Sequence, residues 1–173
     1  MTTPDISLLH TARLRLVVPQ ARHAAPFAAL HADPYTMRYI GDGRPLDRTD
    51  AWMHLAMLIG HWQMRGYGVW IVESAGDGSF VGRVGLFHPD GWDEPELNWM
   101  IVPWLRGQGL ATEAAQAARD VAFGALGLPS MVSLVRPGNE ASRRVAMKVG
   151  AIPAETVSFP DGPLQTYRYR ISS

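Results

Sequence analysis

The alternation of apolar and polar positions divides this chain into short, distinct segments. Over residues 11–18, Arg13 and Arg15 alternate with Leu14, Leu16 and Val18, the period-two pattern of a strand with one wet face. Pro19 breaks it, and from 20 to 31 Ala24, Phe27, Ala28 and His31 recur at helical spacing. Asp33 is a good N-cap and Pro34 is tolerated at the first helical position, so one or two further turns are predicted over 35–40. A glycine- and proline-rich loop, 41–45, leads into a longer helix over 47–65 with Trp52, Leu55, Ile59 and Trp62 facing inward. Residues 68–73 and 80–87 are β-rich and joined by the hairpin-like 74–79. Gly82 and Gly85 weaken the second of these strands and point to a bulge or a close backbone approach. After the turn-rich, acidic stretch 88–95 comes a strand over 96–102, ended by Pro103, which cannot donate to a sheet ladder.

Beyond a glycine turn, Leu110, Ala114, Ala118, Val121, Ala122 and Ala125 make one apolar helical stripe of mostly small residues, which lets the helix lie close to a sheet. Gly127 ends it. Residues 131–135 suit a buried strand, 139–149 a helix capped by Asn139 and stopped by Gly150. The runs 152–159 and 164–171, joined at 160–163, form a final antiparallel pair. The order is βααβββαβαββ, an α+β plan with a mixed, mostly antiparallel central sheet of about seven strands flanked by helices. The 173 residues suit one domain, 1–173.

Composition narrows the partners. With 47% hydrophobic and 18% charged residues the chain is ordinary for a core-forming protein. Sixteen basic and sixteen acidic side chains cancel, so overall charge draws it neither to nucleic acid nor to an anionic membrane, and any phosphate binding must be local. The absence of cysteine excludes disulfides, thiolate metal sites and a cysteine nucleophile, and fits a cytoplasmic location. The first residues do not read as a signal peptide, and no apolar run is long enough for a membrane span. His54 and His61, seven apart, share a helix face, but spacing places no third ligand; they read as packed or surface histidines, and no metal is expected.

The chemistry concentrates at 97–112, where an apolar strand runs through a glycine turn into a helix. Arg106, Gly107, Gln108, Gly109, Leu110, Ala111 and Thr112 put small residues where a backbone must approach a ligand closely. The first N–H groups of the helix lack intrahelical partners, and with the helix dipole they favour a phosphate or pyrophosphate. The third glycine of a dinucleotide fingerprint is absent, and the segment follows the fourth strand instead of the first. No P-loop or Gly-x-Ser-x-Gly elbow occurs.

The stretch 106–114 resembles the acyl-CoA pyrophosphate loop of the GCN5-related N-acetyltransferases (GNAT), Gln/Arg-x-x-Gly-x-Gly/Ala, matched at Arg106, Gly109 and Ala111. Downstream, 139–150 resembles the Asn-x-x-Ser…Lys-x-Gly segment of the branch that acetylates ribosomal-protein N-termini, matched at Asn139, Ser142, Lys148 and Gly150. The likeness extends over the order of elements from about residue 11 onward. It implies acetyl-CoA as cosubstrate and a primary amine on a protein N-terminus or small molecule as acceptor; a homodimer is left open. It also implies that main-chain groups of Met100, Ile101 and Val102 pair with pantetheine.

Acetyl transfer from thioester to amine asks for a deprotonated amine, a held carbonyl, help for the oxyanion and a proton for the thiolate. Relatives often carry a carboxylate at the start of the fourth strand, which makes Glu96 the candidate base. Its competitor is a solvated strand-end glutamate beside Asp93 and Glu94. Many relatives use a tyrosine as acid on the helix after strand five; 139–149 has none, and Ser142 stands there with Asn139, the two read structurally as a cap and its companion. Arg143, Arg144 and Lys148 are candidates for the nucleotide 3′-phosphate. Rival functions are an acyl-CoA-binding domain without turnover and an aminoglycoside acetyltransferase, the latter needing an acidic cleft built from Asp90, Asp93, Glu94 and Glu96.

Overall fold

A computed structural model of the protein describes residues 5–171. Eight strands form one sheet in the order β1-β2-β3-β4-β5-β6-β8-β7, antiparallel throughout except between β5 and β6. The strands are β1 (Leu8–His10), β2 (Leu14–Val17), β3 (Val69–Ser74), β4 (Phe80–Phe87), β5 (Glu96–Ile101), β6 (Ser130–Val135), β7 (Ile152–Phe159) and β8 (Gly162–Arg170). The helices are α1 (Ala24–His31), α2 (Pro34–Met37), α3 (Arg48–Arg65), α4 (Leu110–Phe123) and α5 (Glu140–Lys148).

The eighth strand is β1, whose three residues are too few to show a period. It pairs with β2 in register Leu8↔Val17 to His10↔Arg15. The strand expected over 11–18 is correspondingly shorter, because Thr11 and Arg13 are used elsewhere: both bind the Glu113 carboxylate of α4.

Side-chain parity assigns the helices to two faces. Leu14, Leu16, Val84, Leu86, Leu97 and Ile101 form a buried cluster with Ala114, Ala115 and Ala118 of α4 and Ala146 of α5. Val17, Val69 and Ile71 pack instead against Phe27, Leu55 and Leu58 of α1 and α3, and Met100 and Val102 against Leu30 and Met37. The alanine stripe does what its small volume allows: Ala114, Ala115, Ala118 and Ala122 are fully buried against the sheet. Trp52 departs from the expected inward set and is 62% exposed, since the buried face of α3 runs through Ala51, Leu55, Leu58 and Trp62.

Gly82 and Gly85 are places of close approach. A Cβ on Gly82 would lie 2.0 Å from the carbonyl oxygen of Met100, and one on Gly85 2.5 Å from that of Gly68. Val81 is the extra residue of a bulge, since Gly82 faces Val72 whereas Phe80 faces Glu73. Asp33 and Asn139 are N-caps as expected, accepting from the N–H of Thr36 and Ser142 at 2.9 and 3.2 Å.

Candidate active site

Strand β5 is fully paired on one side and almost unpaired on the other. With β4 it keeps register from Phe87↔Glu96 to Gly82↔Ile101, whereas with β6 it shares only Glu96↔Val132. The two parallel strands therefore fork beyond Glu96. Val102 N–H donates to Val81 O at 3.0 Å, so by antiparallel alternation the peptide groups of Asn98, Met100 and Val102 face β4. Those of Leu97, Trp99 and Ile101 face the gap. At its closed end Ser133 Oγ donates to Leu97 O at 2.5 Å. Of the three residues proposed for main-chain pairing with a ligand arm, Ile101 presents its groups to the gap, while Met100 and Val102 spend theirs on β4.

The open end of the fork continues into a cleft of ≈ 310 Å³. Arg106, Gly107, Gly109, Leu110, Ala111 and Thr112 line one side, Asn139, Ser142, Arg144 and Lys148 the other, and Tyr35, Thr36 and Tyr39 a third. Met100 and Ile101 also reach it; Val102 and Gln108 do not. Arg143 pairs on the outside with Glu140 at 2.8 Å, leaving Arg144 and Lys148 as the cleft-facing cations of α5. The chain has no net charge, yet Arg38, Arg106, Arg144 and Lys148 line this cleft and, among the described residues, no carboxylate does.

The helix start at the cleft is left uncapped. Gly109, with φ +80, is the N-cap of α4 and carries no side chain to bond the first turn, so the N–H groups of Leu110, Ala111 and Thr112 are unclaimed by the helix. Glu113, the acid of that first turn, is drawn away: Thr11 Oγ1 donates to it at 2.6 Å, Arg13 N at 2.9 Å and Arg13 Nε at 2.7 Å. Partial burial would raise the Glu113 pKa, but these bonds outweigh it and hold it below the usual value. Arg13 Nη1 also donates to Gln108 O at 2.9 Å, which pins the turn itself.

Arg106 works as a strut. Its Nε donates to Ile101 O at 2.9 Å and its Nη2 to Thr36 Oγ1 at 2.6 Å, tying the turn to the fork and to α2. Tyr39, just beyond α2, donates to Gly138 O at 3.1 Å, joining the β5 side of the fork to the β6 side.

Glu96 sits at the closed end of the fork and does not line the cleft. Parity with Met100 turns it toward the α1–α3 face, where it is half-buried. Burial raises its pKa; the Arg83 charge and hydrogen bonds from Asn98 and the Leu134 backbone oppose that rise without cancelling it. Arg83 is itself buried and donates to Asn98 Oδ1 at 2.9 Å and to His31 Nε2 at 3.3 Å. None of Arg83, Asn98 and His31 is distinguishable in sequence, because an arginine in a Val/Gly strand reads as solvent-facing. The tyrosines at the cleft were missed as well, since they come from α2 and its following turn, remote in sequence.

The acidic group at 90–96 is dispersed. Glu94 accepts from Ser130 Oγ at 2.5 Å and pairs with Arg168 at 2.9 Å, and Asp90 lies 3.8 Å from Arg65. His61 is structural: its Nδ1 meets Tyr67 O at 3.1 Å and its Nε2 accepts from His88 N–H at 2.9 Å. His54 packs edge-on to Phe27 with its pKa lowered by burial and by Arg83 to about 4. Among the described residues no group of three or more His, Asp or Glu is placed to hold a metal ion, and no helix is long and apolar enough to cross a membrane.

Residues 13–152 match the model of the acetyltransferase (GNAT) domain. The chain is similar to the FsC-acetyl coenzyme A-N(2)-transacetylase of Aspergillus fumigatus, 31% identical over 90% of this chain and 69% of that one. In structure it is similar to an acetyltransferase from Agrobacterium tumefaciens, at a TM-score of 0.84 with 30% identity over 98% of both chains. It shares the fold of RimL, a ribosomal L7/L12 α-N-protein acetyltransferase solved in complex with coenzyme A, at a TM-score of 0.79 with 15% identity over 95% of this chain and 98% of that one. The forked strands, the uncapped helix start and the matched family model agree: the chain belongs to the GNAT family and is an acetyl-CoA-dependent N-acetyltransferase.

Proposed function

We propose that this protein, acting as one domain in the cytoplasm, transfers acetyl from acetyl-CoA directly to a primary amine on a peptide N-terminus or a small molecule, with Glu96 as general base. The observation that carries the reading is the fork: it opens onto a cation-lined cleft and closes at a carboxylate whose pKa burial raises. Pyrophosphate would rest on the free N–H groups of Leu110, Ala111 and Thr112, the turn at Gly107 and Gln108 shaping the approach, and Arg144 or Lys148 would meet the 3′-phosphate. Pantetheine would run along Ile101, and the thioester would lie within the fork, between Ser142 of the cleft and Glu96 of the closed end.

There the amine lone pair attacks the carbonyl carbon as Glu96 takes the amine proton. The N–C bond forms, the C–S bond breaks, and CoA leaves as a thiolate that accepts a hydrogen bond from Ser142 and takes its proton from solvent, to which Glu96 later returns the amine proton. Because Glu96 faces α1 and α3, the amine enters from that side, opposite α4 and α5. The Asn139 and Ser142 pair favours a relative of the ribosomal-protein branch, and so a peptide N-terminus. The pairing of Glu94 with Arg168 and the buried cation beside Glu96 argue against a polycationic aminoglycoside.

The test is thiol release from acetyl-CoA with peptide N-termini, polyamines and aminoglycosides, first with the wild type and then with Glu96→Gln. Turnover of Glu96→Gln should fall about 100-fold with little change in CoA affinity, and should recover in part at higher pH, where more of the amine is already neutral. A wild-type rate and pH profile in Glu96→Gln would refute the base; CoA binding without turnover of any amine would refute the enzyme.

A further inference from the structure

On the face of the sheet that receives the amine, His31, Arg83 and Asn98, from three different elements, join into one chain of hydrogen bonds that ends two residues from Glu96 on the same strand face. His31 of α1 is completely buried, and its Nδ1 lies 2.8 Å from the carbonyl oxygen of Phe27. A carbonyl only accepts, so Nδ1 carries the proton and Nε2 keeps its lone pair. That lone pair faces Arg83 of β4, whose Nε–H donates to it at 3.3 Å. Burial and the Arg83 charge hold the His31 pKa at about 3, so the ring stays neutral and the direction of the bond does not change at working pH. Arg83 in turn donates from Nη1 to Asn98 Oδ1 at 2.9 Å. This fixes the Asn98 amide, leaving Nδ2 to donate, and the neighbour two residues back on the same face of β5 is Glu96, whose pKa Asn98 helps to hold down.

We infer that Arg83 is a positioning residue for the Glu96 carboxylate, anchored by His31 and acting through Asn98. The inference rests on the reading of Glu96 as base. Every donor and acceptor from the Phe27 carbonyl to Asn98 Oδ1 has one orientation open to it, so Asn98 keeps its amide nitrogen for the carboxylate beside it at the closed end of the fork. The same arginine keeps a positive charge there: burial lowers its pKa to about 10, with Glu96 pulling the other way, and it remains a cation near neutrality. The other titratable groups that face this pocket are neutral. They are His31 and His54 of α3, with its ring 5.3 Å from that of His31; Tyr169 of β8, raised by burial and bonded to Ser133 Oγ at 3.0 Å, belongs to the α4 side of the sheet. Arg83 is thus the cation set against the desolvation of Glu96, and it sets how far the acid rises.

The experiment reads Glu96 directly. Side-chain carboxyl carbons are followed by 13C NMR across pH in the wild type, Arg83→Met, Arg83→Lys and Asn98→Leu, with the Glu96 signal identified by its loss in Glu96→Gln. Arg83→Met should raise the Glu96 midpoint by roughly 1–3 pH units, the range for losing a nearby opposite charge. Arg83→Lys keeps the charge without the planar fork and should fall between wild type and Arg83→Met. Asn98→Leu leaves the cation in place on a partly exposed strand position and should also raise the midpoint, by less. The acid limb of kcat/KM for an accepted amine should move with the midpoint in each variant.

An unchanged Glu96 midpoint in folded Arg83→Met overturns the inference; if that variant does not fold, an unchanged midpoint in Asn98→Leu does so. Should the midpoints move while Glu96→Gln keeps wild-type turnover, the coupling stands and the base assignment falls. A Glu96→Gln variant that loses turnover while the midpoints stay fixed gives the reverse result.

Discussion

Gly109 allows the binding of the pyrophosphate to be separated from the integrity of the fold. It sits at φ +80 as the N-cap of α4, and a Cβ built on it meets only Arg13 Nη2, at 3.5 Å. Replacement by alanine therefore creates no clash within the protein. The left-handed conformation costs an L-residue about 1–2 kcal/mol, and the smaller conformational entropy of the unfolded chain returns about 0.4–1 kcal/mol. The remainder, about 1 kcal/mol, corresponds to a fall in Tm of roughly 2–4 °C at this chain length. Gly127, at φ +61 beyond the end of α4 and with nothing within 4 Å of its Cβ position, carries the same strain away from the cleft. The two alanine variants should thus lose similar stability, while only Gly109→Ala loses CoA affinity, by about tenfold or more, because its methyl occupies the space beside the free N–H groups. Thermal melts with and without CoA, together with calorimetric titration, measure both terms; ligand stabilisation should follow RT ln(1 + [L]/Kd). Unchanged CoA affinity in Gly109→Ala, or an equal loss in Gly127→Ala, would refute the placement.

Ser142→Ala should lower turnover about 10- to 100-fold, roughly 1.4–2.7 kcal/mol in the barrier, with Tm nearly unchanged because the α5 cap is carried by Asn139; wild-type kinetics would remove its role at the sulfur. Asn139→Ala should instead cost about 1 kcal/mol of stability through the lost cap, read in a denaturant melt. Glu73, buried and bonded to Arg22, Arg15 and His23 at 2.6, 2.9 and 3.2 Å, titrates low: burial raises its pKa, but the bonds to Arg22, His23 and Arg15 prevail. A depressed carboxylate stabilises above its unfolded value and loses that stabilisation as pH falls through the folded one, so stability should drop below about pH 4.5. Glu73→Gln should flatten that drop and cost roughly 2–3 kcal/mol at neutral pH; an unaltered acid limb would exclude Glu73 as its source.

What the sequence made legible was periodic or punctuated. The alternation from Arg13 to Val18, the alanine stripe of α4 and the caps at Asp33 and Asn139 are local signals, and local hydrogen bonding or packing realises each. Gly82 announced a close approach because only a missing side chain tolerates one. The strand β1 stayed hidden, since three residues show no period and its stability comes from pairing with β2. Trp52 was misplaced because a wide apolar stripe on α3 does not say which edge meets the sheet. At the site, the glycine turn and Ser142 could be found from motif resemblance. Arg83, His31 and Tyr39 could not, because their significance arises from contacts 52 to 99 residues apart in sequence, made only once the sheet is assembled.

The flush contact at Gly82 has a consequence for the fork. A Cβ at 82 would run into the Met100 carbonyl, so β5 lies flush on β4 only because that position has no side chain. The register of β4 therefore sets where Leu97, Trp99 and Ile101 turn their peptide groups toward the other branch of the fork. A side chain added at 82 would shift that row of groups against the α4 turn, so the fork can be put out of alignment from a strand that takes no part in it, as a rail is bent by moving its sleeper.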